Sequence, residues 1–287
     1  QIRKDTGDMV SLLTPIVKAF LTDNAFIATN EGLQVFGGHG YIVEWGMEQY
    51  VRDARINMIY EGTNTIQSLD LLGRKVLGDM GAKLTKFGKI IEAFIEEEGV
   101  RKEMQEFIDP LADIASKVEK LTKEIGLKAM MNHEEVGAAA VPYLRTVGHL
   151  IYSYLFARMA KIALTQASSN DPFYQAKLAT ARFYFDKLLP ETAYLIRSAR
   201  AGSKSLMAMP SELFWKWTMP ENRIIKKIAV LGAGVMGAQI AAQCINVGVP
   251  VILFDLPSNS EDGKAVHKSA IAHKAIENLK KLKPAQI

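Results

Sequence analysis

The chain has 287 residues, 48% hydrophobic and 23% charged, enough to bury a core and to form two domains. Its single cysteine, Cys244, excludes an internal disulfide framework and fits a reducing, cytoplasmic setting. The formal charge of +4 is uneven, with nine Lys/Arg against five Asp/Glu from Met219 onward and 26 against 26 before it; with no basic stripe interleaved with aromatics, nucleic-acid binding is not expected.

In chain order, apolar positions at helical spacing (Val10, Leu13, Ile16, Val17, Phe20, Leu21) predict a helix over 2–30, broken at EGLQVFGGHGY. A second helix is expected over 47–60 and a third from Thr63 or Asn64 to about Val76. Long helical segments follow over 84–98, 100–131, 134–167 and 172–203, the last introduced by Asn170-Asp171-Pro172, a cap and a first-turn proline. Stripes such as Phe94, Phe107, Ile108, Leu111 and Ile114, then Leu150, Leu155 and Met159, then Phe183, Phe185 and Leu188, read as bundle core. The most apolar run, HLIYSYLFARMAKIAL (149–164), is too short to span a bilayer and carries Arg158 and Lys161, so no transmembrane segment is expected.

No strand-like alternation precedes residue 223. A boundary is placed in PSELFWKWTMPEN (210–222), after which KKIAVLG and VPVILFDL flank one helix of the length a βαβ crossover needs. A further helix ends in Lys280, Lys281 and Lys283, where the helix dipole favours cations. The expected fold is mainly α, a helical bundle, followed by an incomplete α/β Rossmann βαβ unit.

In MIYEGTNTIQ (58–67), Glu61 stands between an apolar helix end and a Gly-Thr turn. Shielding by Met58, Ile59 and Tyr60 would raise its carboxyl pKa toward the range useful for proton abstraction, and Gly62 would let a substrate approach the backbone. Arg52 and Arg55, flanking Asp53, read as a surface or subunit-interface ion-pair network. His39 reads as an exposed turn residue and His149 as packed within its helix. His133 opens HEEVG, which lacks the second histidine of HExxH, so no metal site is expected.

The run LQVFGGHGYIVEWGMEQYVRDARINMIYEGTNTIQ, with the helix before it, resembles the C-terminal helical domain of acyl-CoA dehydrogenases over residues 1–78. The resemblance implies that Glu61 removes the α-proton of an acyl-CoA thioester while the β-hydride moves to FAD. It also implies that the Glu61 backbone N–H and a flavin hydroxyl hold the enolate oxygen. It places Gln34, Gly37 and Gly38 against the adenosine-diphosphate part of an FAD bound by a neighbouring subunit, and Thr63 and Thr65 near the other flavin. Thr65 departs from the Gln or Glu of many members. A homo-oligomer and an electron-transfer flavoprotein, or similar acceptor, are the implied partners. Residues 79–214 resemble the additional helical segment of the longer members, including the 3-methylmercaptopropionyl-CoA type, and no catalytic residue is expected there.

Gly232, Gly234 and Gly237 form G-x-G-x-x-G between an apolar strand and a helix, and Asp255 ends the second strand eighteen residues after the last glycine. That order is a strong dinucleotide signal: the glycines permit the turn, the approach of pyrophosphate and close helix packing. Asp255 would accept from the adenosine ribose and repel a 2′-phosphate, favouring NAD over NADP. Residues 223–287, after a linker at 215–222, resemble the beginning of 3-hydroxyacyl-CoA dehydrogenases. Neither His267 nor His273 matches that family's catalytic histidine, and strands three to six of the fold are absent.

Starting at Gln1 without a methionine, the chain reads as the last part of one β-oxidation enzyme joined to the first part of another, with Met219 a natural initiator of the second. True fusion, stop-codon readthrough or an assembly error would each give such a join. The expected function is acyl-CoA dehydrogenation with FAD, joined to an incomplete NAD-linked segment, the isolated piece being inactive. The alternative is a catalytically silent helical assembly module with an orphan βαβ tail.

Overall fold

A computed structural model describes residues 2–166, 171–216, 225–257 and 269–281. It divides into two units, Gln1–Met209 and Pro210–Ile287.

The first unit is helical. Helix α1 (Ile2–Val35) runs past the expected break, through Gly32, which weakens a helix without ending it. The chain turns at Gly37, with φ 60°, into the short α2 (Gly38–Tyr41). A Cβ at Gly40 would stand 2.5 Å from the Leu33 carbonyl oxygen, so this turn folds tightly onto the end of α1. Of the two apolar stripes on α1, Leu12, Ile16, Ala19 and Phe20 face the bundle, whereas Val10, Val17 and Leu21 are exposed. Among the described residues one helix is long and apolar enough to cross a membrane by length and composition alone, and it is this one, over Arg3–Val35, not the 149–164 run. Here its inner stripe packs into the bundle core.

Helix α3 (Met47–Asn57) stops short of Tyr60, and α4 (Asn64–Leu69) passes directly into a π-helical stretch, Asp70–Val76. Helices α5 (Ala82–Glu98) and α6 (Gln105–Met131) are separated by a turn at 99–104 rather than running on from 100. Helix α7 (Glu134–Thr165) is the central element, packing on α1, α4, α6 and the two helices that follow it. Its buried Tyr143, Leu144 and Val147 meet Leu111, Ile114 and Leu121 of α6 in one core cluster.

The segment expected as one helix over 172–203 is divided. Asp171 caps α8 (Pro172–Phe183) by accepting the Phe173 N–H at 2.8 Å; Asn170 lies outside the described residues. A π-helical turn, Tyr184–Leu188, then leads to Pro190, which has no N–H to continue the ladder, and α9 (Glu191–Ala201) begins anew. The wide turn shifts the register, so Tyr184 and Phe185 point inward while Phe183 and Leu188 are exposed, against the expected stripe. Leu155 is exposed too, since it lies across α7 from the buried Ser153 and Ala157.

In the second unit, α10 (Ser211–Lys216) precedes β1 (Ile228–Leu231), α11 (Val235–Asn246) and β2 (Val251–Phe254). The strands pair in parallel, Ile228 opposite Val251 through Leu231 opposite Phe254. Helix α12 (Ala270–Lys281) packs Leu279 against Ala238 and Ala242 of α11. Most of the expected linker, Met219, His267 and Lys283 lie outside the described residues.

Candidate active site

The loop from α3 to α4 is built to present one residue. Helix α3 ends as the Ile59 and Tyr60 N–H groups both turn back to the Ile56 carbonyl, at 3.0 and 3.2 Å. Glu61 and Gly62 then take left-handed backbone conformations, φ 53° and 83°. The Asn64 N–H closes the loop onto the Met58 carbonyl at 3.2 Å, and the Gln67 side chain donates to the Glu61 carbonyl at 3.3 Å. A glutamate with positive φ is disfavoured and persists only where its surroundings over-determine it.

That restraint comes from Asn64. Its amide shares hydrogens among the Ala19 carbonyl (3.2 Å), Thr22 Oγ1 (2.9 Å) and Asp23 Oδ1 (2.6 Å), all on α1. Its carbonyl accepts from Lys18 Nζ at 2.7 Å. Burial lowers the Lys18 pKa, and the charges of Asp23 and Glu61 oppose that shift.

Glu61 itself is exposed in this chain, contrary to the expected shielding. Ile59 and Tyr60 are half-exposed themselves, so they do not cover it. Thr63 and Thr65 flank the same loop and are also exposed. Gln34, Gly37 and Gly38 lie apart at the α1–α2 turn, exposed, and a Cβ at either glycine would meet nothing within 4 Å. Among the described residues no hydrogen bond joins the two groups. Within the chain, Arg52 and Arg55 form no ion pair with Asp53 among the described residues. Side chains one and two positions apart on a helix do not face each other, and Asp53 instead accepts from Gln49 at 2.7 Å. His39 is exposed, its ring edge-on to Trp45.

Behind the loop is a cleft of about 320 Å³, walled by Asp23, Arg55, Asn64 and, from α7, Leu144 and Arg145. Here the sequence reading missed a polar cluster. His149 does not simply pack within its helix: its ring nitrogens reach the Tyr184 hydroxyl (3.1 Å) and Glu191 Oε2 (3.2 Å). Glu191 also accepts from Arg145 at 2.7 and 3.1 Å, and Arg145 Nη1 stands 3.8 Å from Asp23 Oδ2. The bond to His149 and the Arg145 guanidinium hold the Glu191 carboxyl down at about 2, against the opposing effect of burial. These partners are more than forty residues apart in sequence, and no local pattern announces them.

In the second unit, Gly232 adopts φ 104°, and Gly237 sits so near it that a Cβ would lie 1.9 Å from the Gly232 oxygen. Gly234 caps α11 with no side-chain bond and open space about it, leaving the helix N-terminus accessible. Asp255 accepts the Ala233 N–H on Oδ2 (2.6 Å) and the Leu256 N–H on Oδ1 (2.7 Å), so the end of β2 braces the glycine loop.

Comparison with known families agrees with this division. Residues 2–77 match the acyl-CoA dehydrogenase C-terminal domain, residues 87–210 a domain described as acetyl-CoA dehydrogenase C-terminal like, and residues 227–286 the NAD-binding domain of 3-hydroxyacyl-CoA dehydrogenase. A 3-methylmercaptopropionyl-CoA dehydrogenase of Ruegeria pomeroyi is 34% identical over 67% of the chain and 33% of its own length. A broad-specificity linear acyl-CoA dehydrogenase of Mycobacterium tuberculosis is 31% identical over 62% of the chain and 31% of its own length. A butyryl-CoA dehydrogenase of Syntrophomonas wolfei is 28% identical over 74% and 36%. The chain thus spans about a third of the length of these curated relatives.

Proposed function

We propose, from the match of the first unit to the C-terminal domains of acyl-CoA dehydrogenases, that this unit supplies the base for dehydrogenation of an acyl-CoA thioester, and that the base is Glu61. The observation that carries this reading is the loop itself. Seven residues are shaped, by two left-handed conformations and the clamps from Asn64 and Gln67, to hold a carboxylate outward at a fixed point. The α-proton of a thioester is too weakly acidic for a carboxylate in water, so the remaining two thirds of such a protein must enclose this point. On enclosure, exclusion of water would leave the carboxylate facing the thioester alone. By the same resemblance, the Glu61 N–H would donate to the thioester oxygen as negative charge builds there.

FAD, when bound, supplies the acceptor for the two electrons that leave the substrate. The residues at hand fit its diphosphate: Gly37 and Gly38 form an open turn where backbone can approach phosphate without meeting a Cβ, and Gln34 is exposed one turn earlier. Thr63 and Thr65, exposed on the base's own loop, would meet the other flavin, not the one whose diphosphate lies at Gly37 and Gly38. An electron-transfer flavoprotein or similar acceptor would reoxidise it, and the assembly would be a homo-oligomer.

The second unit fits the diphosphate of NAD. Gly232, Gly234 and Gly237 expose the α11 N-terminus, and Asp255, an acceptor with lone pairs beyond its two backbone bonds, would take the ribose hydroxyls and repel a 2′-phosphate. A single βαβ unit offers one side of a nucleotide crevice only.

The exposure of Glu61 favours a second reading, a silent helical assembly module. One measurement separates the two. The flavin-loaded, full-length protein should bleach on addition of acyl-CoA, and Glu61→Gln should abolish the bleaching; bleaching that survives the substitution eliminates Glu61 as the base.

A further inference from the structure

The extension, in which no catalytic residue is expected, reaches the Glu61 loop through a chain of polar and charged contacts. His149 holds Glu191, Glu191 holds Arg145 from α9, Arg145 faces Asp23 on α1, and Asp23 holds Asn64 on the first turn of α4. The Asp23 carboxylate is divided between two helices: Oδ2 stands 3.8 Å from Arg145 Nη1, while Oδ1 accepts the Asn64 amide at 2.6 Å. Lys18, bonded to the Asn64 carbonyl and within electrostatic reach of Glu61, continues the alternation of sign to the base.

We propose that Arg145 is a positioning residue for Glu61, acting through Asp23 and Asn64. The inference rests on Glu61 being the base. Arg145 suits the part because it is itself immobilised. Its side chain is only 14% exposed, two of its nitrogens are taken by Glu191, and its guanidinium lies over the Phe20 ring at 5.7 Å. A rigid fork presents its remaining face to Asp23 in one direction, which a flexible ammonium would not do. Asp23 so oriented gives Asn64 the shortest of its amide contacts, and Asn64 closes the loop onto Met58. Without Arg145, the Asp23 carboxylate is free to turn toward Lys18 or solvent. The loop then keeps its sequence but loses the restraint that holds Glu61 in a left-handed conformation.

The test uses the flavin-loaded, full-length protein. Arg145→Gln is expected to slow acyl-CoA-driven flavin bleaching roughly ten- to a hundredfold, the penalty of a small misplacement of a reacting group, while the acyl-CoA concentration for half-maximal rate stays unchanged. Asp23→Asn keeps an acceptor for Asn64 but removes the charge facing Arg145, and is expected to act in the same direction; it decides alone should Arg145→Gln fail to fold. Combined with Asn64→Ala, Arg145→Gln should add little further loss, since both act on one path. Wild-type bleaching rates in both Arg145→Gln and Asp23→Asn overturn the proposal, as does a loss that simply multiplies with that of Asn64→Ala. Glu61→Gln, run alongside, separates the two readings. Bleaching that survives it sinks the base assignment and this inference together; bleaching lost in it but intact in Arg145→Gln and Asp23→Asn sinks this inference alone.

Discussion

Gly148 of α7 lies directly on the ring of Phe20 of α1, so close that a Cβ there would stand 2.5 Å from Phe20 Cγ. The ring cannot yield, because His149 and Tyr152 pack edge-on to it at 5.1 and 4.9 Å and Arg145 covers it. Gly148→Ala should therefore destabilise the helical unit by about 1–3 kcal/mol, the range for overpacking a tight core. The denaturant midpoint of that unit would show the loss; an unchanged midpoint would mean that α1 and α7 separate freely.

The buried pair Tyr143 and Thr122 should respond asymmetrically. The Thr122 hydroxyl donates to the Val118 carbonyl at 2.7 Å, so the Tyr143 hydroxyl is the donor in their 2.7 Å bond. Burial pushes the phenol pKa up, and the Thr122 bond only partly offsets it. Thr122→Val would strand a buried O–H and should cost about 1–3 kcal/mol, whereas Tyr143→Phe removes the donor altogether and should cost less. Urea unfolding of the two variants would show the order.

Glu191 gives the helical unit a defined acid limb. Its folded pKa, about 2, lies below the ordinary 4.5, so its contribution is fully present above pH 4.5 and is lost as pH falls toward 2. Glu191→Gln should lower stability at neutral pH, flatten the decline between those values, and converge with the parent below about pH 2. Thermal midpoints recorded across that window would test it, and a parallel acid limb in the variant would contradict the assignment.

Two glycines of the dinucleotide loop should part company. Gly237→Ala would drive a Cβ into the Gly232 carbonyl and open the loop, read as faster amide exchange across 228–238. Gly234→Ala meets no protein atom within 4 Å and has an ordinary φ of −66°, so exchange should be unaltered. Its methyl would occupy the place of a phosphate, and NAD affinity should fall. Slowed or unchanged exchange in Gly237→Ala would refute the close-approach argument.

The Glu61 loop shows where local reading stops. The left-handed turn was foreshadowed by Gly62, and Asn64 stood in the quoted stretch, yet nothing local said that Asn64 would bind Lys18, Thr22 and Asp23 of α1. Likewise Phe183 and Leu188 obey helical spacing but face outward where the π turn changes the residues per turn, and Leu155 lies on the outer side of α7; spacing alone reveals neither.

From the amino-acid sequence alone came the features that one short segment can determine. These are the helical period of the first three quarters, the Asp171-Pro172 start of α8 and the glycine loop between two strands. Each depends on backbone preferences and contacts within a few residues. Tertiary packing decided which stripe of α1 is buried, and it joined His149, Glu191, Arg145, Asp23 and Asn64 into one chain of polar contacts. It also left Glu61 at the surface of this unit. Burial and ion pairing are properties of surfaces brought together from distant parts of the chain, and their energies have no counterpart in local sequence.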